Sequence, residues 1–131
     1  MKFMLMMLAT RAQWDSLSTW KPEEFAAHVG FMMEFNRELT ASGELVLAEG
    51  LDMPSQTKVV RGKQNGTPVV TDGPFAESKE FLAGFWIVRC KSAQRAYEIA
   101  ARVSDAPGPG GKPMTIPVEV RQVMSAPDVP A

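Results

Sequence analysis

Two stretches of this chain show no polar alternation along an extended backbone: residues 2–8 (Lys-Phe-Met-Leu-Met-Met-Leu) and 81–90 (Phe-Leu-Ala-Gly-Phe-Trp-Ile-Val-Arg-Cys), each apolar at both parities. A strand with one face in water alternates apolar and polar residues, so these two are read as central strands covered on both faces. The first is short for a helix and runs directly into the polar stretch 10–19, read here as a loop. At 131 residues the chain has the size of one domain, so whatever covers the second face has to come from within it or from another copy.

The segments between follow helix and hairpin chemistry. Lys21-Pro22-Glu23-Glu24 suits a first helical turn, with proline where an N–H has no partner and acids at the positive end of the dipole. At 100° per residue, Phe25, His28, Val29, Met32, Phe35, Asn36 and Leu39 fall on one side and are expected to face inward. Ser42-Gly43 ends that helix, and residues 44–49 alternate as a strand. Asn65-Gly66 between the extended runs Lys58–Gln64 and Thr67–Asp72 predicts a β-hairpin, because a type I′ turn needs positive φ at both positions. A two-residue loop would set Arg61 opposite Val70 and Val59 opposite Asp72, making Arg61 and Asp72 diagonal neighbours on one face. Ser92 is placed to cap a second helix carrying Ala96, Ile99, Ala100 and Val103, which stops before Asp105-Ala-Pro-Gly-Pro-Gly-Gly. Residues 118–123 alternate as a last strand. Residues 125–131 are expected to form a flexible C-terminal tail after a single domain over 1–124.

The order βαβ, hairpin, βαβ predicts an α+β fold of the ferredoxin-like βαββαβ kind with an inserted β-hairpin, both helices on one face of an antiparallel sheet. The face without helices is then apolar and requires a cover, and a homodimer packed sheet to sheet is the simplest one.

Composition removes several classes of function. Fourteen basic against fifteen acidic residues give a net charge of -1, with no basic field to hold nucleic acid or an acidic membrane surface. The uncharged apolar runs, residues 3–9 and 81–88, fall far short of the roughly 20 residues of a membrane helix. The single cysteine, Cys90, makes neither an internal disulfide nor a cysteine-based zinc site, and a cytoplasmic location is expected. Phosphate loops, nucleophile elbows and paired-histidine metal spacings are absent from the sequence, so no metal or other cofactor is expected. Nine methionines at apolar positions read as flexible core filler.

The segment Val-Thr-Asp72-Gly73-Pro74-Phe75-Ala-Glu77-Ser-Lys79-Glu80, followed by Leu-Ala-Gly84-Phe-Trp, resembles the YCII-related family, and within it the subgroup named for its Asp-Gly-Pro-Phe (DGPF) motif. Gly50-Leu51 with Pro54, and Val118-Glu119-Val120-Arg121, extend the likeness over roughly residues 1–123. The resemblance implies a dimeric α+β barrel of largely unassigned biochemical role. It also implies a setting near sigma factors of the extracytoplasmic-function type, and so a possible sigma-factor association. Some relatives are proposed to use a His and an Asp in a cleft, with the His at the position of Met32, one helical turn beyond His28.

Asp72, at a strand end beside a proline-constrained turn, is the candidate acid–base residue; the other reading, which turn chemistry favours, is a structural one in which its carboxylate bonds local N–H groups. Arg61 on the same face would either hold an anionic ligand or pair with Asp72. Glu119 and Arg121 share one side of the last strand and would line a polar cavity at a dimer centre or pair across it. Glu77, Lys79 and Glu80 read as a solvated rim. His28, the only histidine, is either a packed residue bonded to the backbone or a ligand-binding group; haem-dependent oxygenation through it is one reading. The leading expectation is a small dimeric protein holding a small polar or anionic molecule near Asp72, Arg61 and Arg121; the alternative is a non-catalytic accessory module acting through a protein partner.

Overall fold

The computed structural model describes residues 1–73 and 80–124. The elements are β1 (Lys2–Thr10), α1 (Arg11–Ser16), α2 (Pro22–Ala41), β2 (Leu45–Gly50), β3 (Lys58–Gln64), β4 (Thr67–Asp72), β5 (Glu80–Arg89), α3 (Ala93–Ser104) and β6 (Val118–Gln122), with short 3-10 turns at Leu17–Thr19, Pro54–Gln56 and Pro109–Gly111. Four strands form one sheet in the order β2-β5-β1-β6, every pairing antiparallel, while β3 and β4 form a separate two-stranded ribbon. This is the ferredoxin-like α+β arrangement with an inserted hairpin. β1 and β5, the two segments without polar alternation, occupy the centre.

Register sorts their side chains by face. Leu5 opposes Trp86 and Val120, and Phe3 opposes Val88, on the side where α2 delivers Phe35 and Leu39 and α3 delivers Ala96, Ile99 and Val103. All of these are buried except Val120, which is partly buried against them. On the opposite side two rows cross the sheet: Leu47, Ile87, Met4 and Arg121, then Glu49, Phe85, Met6 and Glu119. Neither α2 nor α3 covers those rows.

Residues 10–19 are not a loop. Thr10 caps α1 with a reciprocal box: its hydroxyl accepts the Gln13 N–H at 3.2 Å and the Gln13 side chain accepts the Thr10 N–H at 2.8 Å. The Thr-x-x-Gln spacing carried that signal within a stretch otherwise too polar to show periodicity. α2 also departs from expectation. Phe31, Met32, Phe35 and Leu39 face the core, whereas Phe25 and Val29 remain exposed. The first half of α2 packs on Trp20, edge-on to Phe25 at 6.5 Å, and on the loop after α3, where Gly110 N–H donates to Glu24. The sheet lies only under its second half. Ser92 caps α3 as expected, accepting the Arg95 N–H at 3.2 Å.

The hairpin turns at Asn65-Gly66, both at positive φ (52° and 78°). Its register slips by one between Val60 and Lys63, where Gly62 takes φ 62°. Val70 therefore opposes Val60 instead of Arg61, and Asp72 opposes Lys58 instead of Val59. A bulge with a left-handed glycine reverses the facing of every residue beyond it, which is why the expected Arg61–Asp72 neighbourhood does not form.

Candidate functional site

A cleft of about 200 Å³ opens between α2 and the β2–β5 end of the sheet, lined by Met7, His28, Met32, Asn36, Ala48, Glu49, Gly50, Gly84 and Trp86. Gly50 and Gly84 face each other across the β2–β5 pairing and keep this corner of the sheet low. A Cβ on Gly84 would stand 3.1 Å from the Glu49 carbonyl oxygen and 3.8 Å from Met7 Cε, closing the floor. The walls are mostly apolar; of the polar residues, His28 and Asn36 come from α2 and Glu49 from β2.

His28 sits on the first half of α2, where Trp20 meets its ring edge-on at 5.7 Å. Its Nδ1 lies 3.0 Å from the Pro107 carbonyl oxygen. A carbonyl can only accept, so Nδ1 carries the proton and neutral His28 keeps its lone pair on Nε2. Nε2 has no hydrogen-bond partner among the described residues, and no sealed side-chain nitrogen there lacks one, so Nε2 opens to solvent-reachable space. Two turns further along α2, Asn36 Oδ1 accepts the Trp86 indole N–H at 2.8 Å. Met32, between them, lines the same cleft.

The other expected site residues lie elsewhere. Asp72 is at the end of the ribbon with 89% of its side chain exposed, bonded to the Lys58 ammonium, and that hydrogen bond with the accompanying charge holds its carboxyl below the usual aspartate range. Arg61 is exposed on the bulged strand. Glu119 and Arg121 stand on β6, opposite Met6 and Met4, on the helix-free face. The structure thus brings none of Asp72, Arg61, Glu119 and Arg121 to the cleft beside His28. Pro74, Phe75, Glu77, Lys79 and the tail 125–131 lie outside the described residues.

A second, wider depression of about 720 Å³ borders Ser42, Glu44, Arg89, Lys91, Ser92 and Arg95. Its central cation is already engaged: Arg95 donates to Glu44 at 2.8 and 2.9 Å and to Glu98 at 3.3 Å. No cluster of three potential metal-binding side chains occurs among the described residues. No described helix is long and apolar enough to cross a membrane.

Sequence reasoning placed Asn36 on the inner stripe but gave it no role. A polar residue between Met32 and Leu39 was the available signal; its partner, Trp86, lies fifty residues away and is visible only in the fold.

An uncharacterised protein of Rhizobium meliloti (strain 1021) is 32% identical to this chain over 104 residues, covering 79% of each. Residues 1–107, which hold β1 through α3 and therefore the whole cleft with the Pro107 carbonyl, match the YCII-related domain. The chain belongs to the YCII-related family.

Proposed function

We propose that this protein binds a small molecule in the cleft under α2, with His28 Nε2 as the group that accepts a proton or hydrogen bond from it. The observation that carries the reading is the tie from His28 Nδ1 to the Pro107 carbonyl. It fixes ring orientation and tautomer without consuming the second nitrogen, the arrangement an acid–base histidine requires. A hydrogen bond accepted at Nε2 leaves the Nδ1–H tie to the Pro107 carbonyl in place. Asp72 suits this work less well, because Lys58 already engages its carboxylate and the side chain is open to water.

The same reading includes a homodimer. Ile87, Met4, Phe85 and Met6 form the apolar centre of the helix-free face, with Glu119 and Arg121 along one margin. Packing that face against its own copy through a twofold axis covers the apolar centre and offers each Glu119 an arginine of the other copy.

Proton-detected 15N spectra of the imidazole, with a library of small uncharged and anionic fragments, test the site. Neutral His28 is expected as the Nδ1–H tautomer, and bound fragments are expected to shift its Nε2 signal and to lose affinity in His28→Phe. An Nε2–H tautomer, or fragments that bind only elsewhere, would overturn the proposal.

A further inference from the structure

Asn36 has its amide orientation fixed by the indole of Trp86, a wall of the cleft, and this extends the reading above, on which it rests, to the class of ligand. An indole N–H only donates, so the atom of Asn36 lying 2.8 Å from Trp86 Nε1 has to be the oxygen. The NH2 group therefore points the other way, and its two N–H bonds have no acceptor among the described residues. His28 and Asn36 both line the cleft, and the polar atoms that each leaves unpartnered are opposite in character: a lone pair on the first, N–H donors on the second. They are eight residues apart, about 12 Å along the helix. Taking a hydrogen bond of about 2.9 Å off each end leaves roughly 6 Å between the ligand atoms that would meet them. The cleft of about 200 Å³ holds the liquid share of roughly seven water molecules, space for one ring with its substituents.

We infer that the cleft selects an uncharged molecule about one ring across, with a hydroxyl-type donor facing His28 and a carbonyl-type acceptor facing Asn36, and that Asn36 is the residue that sets this specificity. Met7, Met32, Ala48 and Trp86 supply the apolar walls between the two ends. A carboxylate at the Asn36 end would bring a full charge against those walls with one amide to replace its water.

The probe is 4-hydroxycyclohexanone, with cyclohexanol and cyclohexanone as its one-handed controls, titrated into the 15N-labelled full chain. The hydroxyketone is expected to shift both the His28 Nε2 and the Asn36 NH2 signals, and to bind roughly fivefold more tightly than either control, the factor that one net hydrogen bond contributes. Asn36→Asp keeps an acceptor for the Trp86 indole while removing the donor. It is expected to abolish the preference for hydroxyketone over cyclohexanol, with unchanged tryptophan near-UV dichroism as the check of fold. If cyclohexanol and the hydroxyketone bind equally well through His28, or Asn36→Asp leaves the preference intact, the specificity inference is wrong while the His28 site stands. If none of the three probes shifts His28, both fall.

Discussion

Glu44 and Arg95 join the start of β2 to the first turn of α3, and replacing Glu44 by Gln isolates what that junction contributes. Arg95 presents two parallel N–H donors, 2.8 and 2.9 Å from the two carboxylate oxygens, and the Ser42 hydroxyl donates to one of them at 2.8 Å. The carboxylate side is 16% exposed and the guanidinium side 39%. Fully exposed pairs contribute roughly 0.2–1 kcal/mol, and breaking a buried one costs about 3–5 kcal/mol; a half-covered, two-pronged pair discounted for its wet guanidinium falls near 1.5 kcal/mol. In a domain of this size that lowers Tm by roughly 6 °C. The Arg95 hydrogen bond holds the Glu44 carboxyl below its ordinary value, against a smaller opposing effect of burial. With the folded pKa depressed, the contribution is complete above the unfolded carboxyl's pKa of about 4.3 and is lost as pH falls through the folded value. Gln has no proton to take up, so the gap between wild type and Glu44→Gln should be full at pH 7 and close in acid. Urea unfolding followed by tryptophan fluorescence, at one protein concentration and several pH values, measures it. A cycle with Arg95→Gln should return a coupling of about 1 kcal/mol. A gap as wide at pH 3 as at pH 7, or a coupling indistinguishable from zero, would refute the reasoning.

Ile87→Asp places a carboxylate at the centre of the helix-free face; sedimentation should show a dimer for the wild type and a folded monomer for the variant, and a monomeric wild type at micromolar concentration would sink the dimer. Lys58→Met removes the cation beside Asp72, so the Asp72 carboxyl should titrate at higher pH by side-chain 13C NMR; an unmoved midpoint would mean that the bulged register is not the one populated. Ser92→Ala deletes the α3 cap and should cost about 1 kcal/mol, a fall in Tm of roughly 4 °C, by thermal melting monitored by circular dichroism.

The β1 and β5 assignments were legible because two-sided burial leaves an unmistakable run of apolar residues, and the α2 and α3 boundaries because Pro22, Gly43 and Ser92 have only one comfortable place in a helix. The hairpin was legible at Asn65-Gly66 but not four residues away: nothing in Val-Arg-Gly-Lys distinguishes a regular strand from one bulged at Gly62, and that one-residue slip decided whether Asp72 met Arg61 or Lys58. The cleft was half legible. His28 and Asn36 both stood on the inner stripe of α2, yet their roles depend on Pro107 and Trp86, at sequence separations no periodicity can bridge.

The tie between His28 and Pro107 is made to a main-chain oxygen, and every amino acid supplies one. Point substitution at 107 therefore leaves the acceptor in the polypeptide, so the imidazole's protonation pattern is insulated from the commonest kind of genetic change at its partner. What can retune it is the path of the backbone: an insertion or deletion between the end of α3 and β6 would carry that oxygen away. Among relatives with an equivalent histidine, the length of this segment should therefore be held more tightly than its composition.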